Sequence, residues 1–263
     1  MDALRRELIA DAESNNIKGN YVVIGGGEAG TEIVYQLGQL LAELTKRYSL
    51  KATDYRVVVI EGANRMVPKC YSKIAHKVRK RLARKGIAVL TGQKVAGIDK
   101  GKVILANGKS LDSSRVVLAA GRVANHFFAD NKSAFLLNRE GFVRVTELQE
   151  AEGYNNIYII GNSKELEYDL NTSGRPYDAE YVVNVMESKH GVREIRRYEP
   201  PEFELRTQLG SGWAVYESGQ RAYTGIVGWV RKRWLDRRHF STLLPMRLWL
   251  AAWTLGSQHD EIY

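Results

Sequence analysis

Apolar residues in this chain follow two rhythms. The first is continuous: Tyr21-Val-Val-Ile24, Arg56-Val-Val-Val-Ile60 and Arg115-Val-Val-Leu-Ala-Ala120 hold short unbroken runs rich in β-branched side chains. Such runs are expected of parallel strands buried on both faces. The second recurs every few residues. Ile74, Val78 and Leu82 predict a helix over 69–85 with one buried stripe, closed at Gly86 with cations in its last turn. Lys73, Lys77, Lys80, Arg81, Arg84 and Lys85 are then expected on its solvated face. Residues 2–13 predict a short helix with Leu4, Leu8 and Ile9 on its apolar side, and a longer helix follows the first strand through Leu44. Residues 86–90 and 94–98 read as further strands. Residues 99–101 and Asn107-Gly108 are hairpin turn signals around Val103-Ile-Leu105.

Beyond Gly121 the pattern begins again. Residues 141–145 predict a strand, 156–161 a buried strand with glycine at its tip, and 177–189 a helix with Val182, Val185 and Met186 facing inward. Pro200-Pro201 marks a boundary. After it, 203–206, 213–216 and 222–224 predict a meander, with Ser218-Gly219 turning the last hairpin. Two aromatic, basic segments follow over 226–238 and 243–255. The expected fold class is α/β: a Rossmann-like, doubly wound parallel sheet with an antiparallel β-meander crossover, a partial second unit, and a C-terminal β-meander plus amphipathic helices. The expected domains are a leading helix over 1–19, a dinucleotide-type domain over 20–122, part of a second domain over 123–198, and the meander with its helices over 199–263.

The strongest chemical signal is where the first strand ends. Gly25-x-Gly27-x-x-Gly30 joins that strand to a helix, the geometry that receives a dinucleotide pyrophosphate. Gly25 permits the tight turn, Gly27 admits backbone close to the phosphates, and Gly30 lets helix and strand pack. The helix then presents its unpaired amides and positive dipole end to the anion. Gly25, Gly26, Gly27, Glu28 and Gly30 are the candidate positions for NAD(H). The second long strand ends at Glu61, 31 residues after Gly30. A carboxylate there accepts hydrogen bonds from the adenosine ribose and repels a 2′-phosphate, favouring NADH over NADPH. Arg65 nearby argues the other way, and an ordinary exposed strand-end carboxylate is the alternative for Glu61.

Composition narrows the rest. The 263 residues are 44% apolar, enough for one good core or two modest ones, and the formal charge of +9 favours anionic partners. No nucleic-acid motif accompanies that charge, and no nucleic-acid partner is expected. Cys70 is the single cysteine, which excludes an intramolecular disulfide and a dithiol centre within one chain. The five histidines are scattered, so no metal site is expected. Charges start at Asp2, with no apolar leader behind them and no 18-residue apolar run anywhere; neither a secretory signal nor a transmembrane helix is expected.

The order of motifs resembles that of two-dinucleotide flavoproteins, most closely the type II NADH dehydrogenase family, single-subunit NADH:quinone oxidoreductases. Tyr21 to Leu37 is similar to that family's NADH signature, including the acid two positions after the third glycine, here Glu32. Val59-Ile-Glu-Gly-Ala-Asn-Arg-Met-Val-Pro68 resembles its strand-end acid and following loop. Ala119-Ala-Gly-Arg-Val-Ala-Asn125 resembles its crossover out of the NADH domain, which makes Gly121 a candidate cofactor position. Asn156-Ile-Tyr-Ile-Ile-Gly-Asn162 resembles the strand that normally ends in Gly-Asp beside the flavin's ribityl-phosphate region, implicating Gly161 and Asn162. Ala179-Glu-Tyr-Val-Val-Asn184 stands where the family has Ala-Gln-x-Ala-x-Gln beside flavin and quinone. The family opens with a first glycine-rich turn for FAD that this sequence does not show, so FAD is expected to bind this chain alone weakly or not at all. A separate chain supplying that half, or a homo-oligomer, is the implied partner.

The resemblance implies hydride transfer from NADH to FAD and electron transfer to a quinone. Glu32 would order the nicotinamide end or relay a proton; the alternative is a carboxylate stabilising a helix N-terminus. A chain that binds NAD(H) at a membrane without catalysis is the competing function. Four of five tryptophans (Trp229, Trp234, Trp249, Trp253) fall in the last 35 residues, and between 221 and 247 seven cations accompany one acid, Asp236. Basic, tryptophan-bearing helices lie at bilayer interfaces, so a peripheral position on the cytoplasmic face of an anionic membrane is expected. The alternative for these segments is a dimer interface or a helix covering a sheet.

Overall fold

The computed structural model describes residues 2–165, 174–199, 204–243 and 245. The chain divides into two compact units. Of the described residues, one unit comprises those within 2–120, 206–217 and 221–245, and the other those within 121–205 and 218–220. The expected α/β architecture is formed.

In the first unit, α1 (Asp2–Glu13) leads into β1 (Gly19–Ile24), α2 (Glu28–Arg47), β2 (Tyr55–Glu61), α3 (Ser72–Ala83) and β3 (Ala88–Thr91). The antiparallel strands β4 (Val95–Asp99), β5 (Lys102–Leu105) and β6 (Ser110–Asp112) follow, then β7 (Arg115–Leu118). The main sheet has the order β3-β2-β1-β7 and is parallel throughout, with Val22 opposite both Val58 and Val116. The chain runs outward from β1 to β3 and returns on the other side of β1. The order therefore reverses beside β1, and the carboxyl ends of β1 and β7 are the switch point at which open α/β sheets receive ligands.

Side-chain alternation explains the layers. Val22, Ile24, Val58 and Ile60 form one core cluster with Val103 and Leu105 of the β4–β6 meander. The intervening Val23 and Val59 are fully buried on the opposite face, and α2 packs on β1 and β2 through a buried row that includes Val34, Leu37, Leu41 and Leu44. Lys100 and Gly101 both take positive φ between β4 and β5, the two-residue hairpin signalled by Asp99-Lys-Gly101. In α3 the stripe Ile74, Val78 and Leu82 is buried as expected, but Arg81 departs from the solvated face. Its guanidinium donates to Tyr35 Oη at 2.9 Å and to the Leu209 carbonyl at 3.1 Å, and packs over the rings of Tyr35 and Trp213. A long cationic side chain can bury its stem where two aromatic rings and a carbonyl receive its head.

The C-terminal strands β8 (Glu204–Gln208), β9 (Ala214–Ser218) and β10 (Arg221–Gly225) form a three-stranded sheet in the order β10-β9-β8, and α6 (Ile226–Leu243) follows. The expected boundary at Pro200-Pro201 and most of the expected 243–255 segment, with Trp249 and Trp253, lie outside the described residues.

The second unit departs from the expected strands. Residues 141–145 and 156–161 are held only by isolated bridges, Leu137 to Val143, Val143 to Lys164, Val145 to Ala151 and Glu150 to Tyr158. Turns at Asn138–Gly141 and Thr146–Gln149 interrupt the run before a ladder can extend, and Gln149 takes φ 64. Val143, Ala151 and Ile159 nonetheless form a small core with Phe128, Phe135 and Tyr154 around them. A short helix α4 (His126–Asp130), capped by the Asn125 side chain, was not signalled by periodicity. Helix α5 (Gly174–Lys189) buries Asp178, Tyr181, Val182 and Val185, while Met186 is nearly half exposed, contrary to its expected inward position. Four of the buried positions, 178, 181, 182 and 185, fall at i, i+3, i+4 and i+7, a stripe on which Asp178 takes a place that periodicity would give to an apolar residue; Asn184 is buried beside it.

Candidate functional site

The four glycines after β1 occupy four different environments. Gly25 takes φ +108, and a Cβ there would stand 2.5 Å from the Ala119 carbonyl oxygen at the end of β7. At Gly30 a Cβ would fall 1.9 Å from the Gly25 carbonyl oxygen, so helix and turn meet with no room for a side chain. At Gly26 it would meet the Met66 sulfur at 2.8 Å. Gly27, the N-cap of α2, has ordinary backbone angles (φ −70, ψ −167) and nothing within 4 Å of a Cβ. It borders open space at the helix terminus, where the first amides of α2 have no intrahelical acceptor.

The Gly26 peptide is clamped at both ends. Its N–H donates to Glu61 Oε2 at 2.5 Å, and its carbonyl accepts from Val67 N at 2.6 Å and from the fully buried Thr31 hydroxyl at 3.1 Å. Glu61 Oε1 accepts from Ala63 N at 2.7 Å. One carboxylate at the end of β2 thus braces both the glycine turn and its own loop, and each oxygen has a further lone pair to offer. Arg65 is turned back on this loop, donating through Nε and Nη2 to the Pro68 carbonyl at 3.1 and 2.7 Å. Val67, a β-branched residue, holds φ 42 while buried against the turn.

Glu28 and Glu32 lie one helical turn apart on α2. Glu28 Oε1 accepts from Arg206 N at 3.2 Å, and Glu32 Oε1 from Gln208 N at 2.6 Å. Both are therefore engaged with backbone of β8, a partnership no sequence spacing announced, since 176 residues separate Glu32 from Gln208. Cys70 is buried beside Glu217, and burial with that carboxylate pushes its thiol up to about 11, which disfavours the thiolate.

In the second unit, Gly121 and Gly161 both take positive φ with open space around a notional Cβ, and Asn162 lies exposed at the tip beyond Ile160. The Gly161 N–H donates to Asp178 Oδ2 at 2.9 Å. Asp178, fully buried, also accepts from Tyr198 Oη at 2.6 Å and pairs with Lys164 Nζ at 3.0 Å. Lys164 also donates to Tyr198 Oη at 3.1 Å and to Gln149 Oε1. Burial lowers the Lys164 pKa against the pull of Asp178, and burial together with Asp178 raises that of Tyr198. The sequence reading missed this network, although a carboxylate on the buried stripe of α5 was its available signal. Asn184 donates to the Glu194 carbonyl and accepts from Arg196 N, so its amide is committed to the segment after α5.

Helix α6 presents its apolar side outward. Ile226, Val227, Val230 and Trp234 share one face and are each exposed by half or more. Arg231 instead packs over Tyr216 and Tyr223, and the buried Arg233 lies beside Trp229. Both guanidinium groups are thus turned onto the protein's own aromatic rings. Among the described residues, no helix is long and apolar enough to cross a membrane.

The sequence profile of the pyridine nucleotide-disulphide oxidoreductase family matches residues 2–176, about two-thirds of the chain. The chain belongs to this family. Within it, the type II NADH:quinone oxidoreductase Ndh of Mycobacterium tuberculosis is 22% identical over 223 residues, covering 80% of this chain and 48% of that protein. Ferroptosis suppressor protein 1 of mouse is 24% identical over 200 residues, covering 72% of this chain and 50% of that protein. A solved structure of NDH2 from Plasmodium falciparum in complex with NADH superposes with a TM-score of 0.72 at 14% identity, covering 98% of this chain and 70% of the other. The resemblance to type II NADH dehydrogenase read from the motifs is borne out. The chain spans about half the length of these two curated relatives, and 28% of the length of another, a dihydrolipoyl dehydrogenase of Mycoplasma genitalium.

Proposed function

We propose that the chain binds NADH across the N-terminus of α2 and takes part in flavin-dependent NADH oxidation, with electrons passing to a quinone. The observation that carries this reading is Gly27. It alone in the turn needs neither its backbone freedom nor its missing side chain for packing, and it borders open space at a helix N-terminus. A pyrophosphate there would meet the first amides of α2 and its dipole. Glu61 would take the adenosine ribose on its remaining lone pairs, and Arg65, turned back on Pro68, is not set for a 2′-phosphate. NADH is therefore favoured over NADPH. The family resemblance and the type II relatives support flavin and quinone as successive acceptors.

A bound flavin would supply the hydride-accepting chemistry. Gly121, Gly161 and Asn162 are the proposed contacts, with Asn162 offering its exposed amide and Asp178 fixing the Gly161 peptide. The sequence holds one glycine-rich dinucleotide turn, so full flavin affinity is proposed to require residues outside these 263. Peripheral attachment to an anionic membrane is proposed for the outward face of α6, on the strength of its exposed Ile226, Val227, Val230 and Trp234.

Titration of NADH and NADPH by calorimetry, together with absorbance at 450 nm of the purified protein, tests the reading. NADH binding tighter than NADPH binding supports it, and equal or tighter NADPH binding overturns the role of Glu61. Stoichiometric flavin on the chain expressed alone would overturn the proposed need for further residues. NADH binding without NADH oxidation, even with flavin and an electron acceptor supplied, would favour the non-catalytic alternative.

A further inference from the structure

Helix α2 does two things at once: its N-terminus is the proposed anion site, and its flank holds the C-terminal sheet. Glu28, Glu32 and Tyr35 lie along that flank at i, i+4 and i+7. Glu28 accepts from Arg206 N and Glu32 from Gln208 N, while Tyr35 Oη meets the Arg81 guanidinium that also donates to the Leu209 carbonyl. The match is geometric. Four helical residues rise about 6 Å, and two strand residues about 6.6 Å, so consecutive carboxylates meet alternate N–H groups of β8. Strand β8 is the outer strand of its sheet, and these carboxylates satisfy an edge that would otherwise seek another strand.

Glu28 is also the first residue of α2. A carboxylate at that position interacts favourably with the helix's own terminal amides, the groups a bound pyrophosphate would use. With β8 docked, the Glu28 carboxylate accepts from Arg206 N; without that amide, a carboxylate on the first helical residue would compete with the phosphates for the terminus. We propose that Glu28 and Glu32 are positioning residues that link the docking of β8 to dinucleotide binding, each favouring the other. This rests on the nucleotide-site reading above. Linkage is reciprocal, so whatever factor β8 docking adds to NADH affinity, NADH adds to β8 docking. A carboxylate competing at a helix terminus sets that factor at about twofold to fivefold.

Amide hydrogen exchange at Arg206 and Gln208, with and without saturating NADH, reads the link directly, because these amides are the donors. In the natural chain, NADH is expected to slow their exchange about twofold to fivefold. Glu28→Gln keeps an acceptor oxygen but carries no charge to compete with phosphate, and is expected to lose the NADH-dependent slowing at concentrations of NADH that saturate it. A merely structural Glu28 would leave the NADH dependence intact. Saturating NADH with no change in exchange of the natural chain overturns the link alone, as does equal slowing in Glu28→Gln. Absence of NADH binding overturns the nucleotide-site reading and the link with it.

Discussion

At Gly30 even a methyl group would collide with the Gly25 carbonyl, whereas at Gly27 it would enter open space. Gly30→Ala is therefore expected to destabilise the chain by about 1–3 kcal/mol or more, the range for overpacking, while Gly27→Ala costs no more than the exchange of a glycine N-cap, about 1 kcal/mol or less. Urea denaturation of the two variants measures this, and equal losses would mean that the turn is packed differently. The buried Lys164–Asp178 pair gives a second residue-scale expectation. Asp178→Ala strands a buried ammonium, which costs about 3–5 kcal/mol, whereas exchanging both residues for apolar ones of similar volume is expected to cost much less. A double variant as unstable as the single one would contradict that account. The three signature glycines were legible in the sequence because their demands are local, a turn and a helix start. Asp178 and Lys164 were not, because nothing local tells a buried carboxylate from a solvated one.

Among the elements, the parallel strands and α3 were readable because their apolar runs and stripes extend over several residues. Residues 141–145 and 156–161 carried the same alternation but form isolated bridges, since pairing depends on the partner's turns and not on the strand's own pattern. Arg81 left its expected solvated face for two rings and a carbonyl that only the folded chain brings near it. Helix α6 shows the same limit. Its tryptophans and cations were visible, but which side faces outward depends on the sheet beneath, where Tyr216 and Tyr223 take Arg231. The membrane prediction therefore shifts from the cations to the apolar stripe. Val230→Asp with Trp234→Asp is expected to abolish co-sedimentation with anionic vesicles. Raising salt should weaken it only in part, by the contribution of the remaining exposed charges. Unchanged pelleting of the double variant would remove α6 from the interface.

For the molecule as a whole, strand order places the switch point at the carboxyl ends of β1 and β7, and the glycine turn lies there. That arrangement was foreseeable from the sequence because alternating strand and helix patterns permit few topologies. The carboxylates of Glu28 and Glu32 on β8 were not, since they join parts of the chain more than 170 residues apart. The central claim is that open space at Gly27 is kept for the pyrophosphate of NADH. Calorimetric titration of NADH into the natural chain and into Gly27→Val, with thermal melting of both, tests it most directly. The account predicts that Gly27→Val stays folded, losing no more stability than a glycine N-cap is worth, about 1 kcal/mol, and that it loses at least about tenfold in NADH affinity, roughly 1.4 kcal/mol. A folded Gly27→Val that binds NADH as tightly as the natural chain would contradict it.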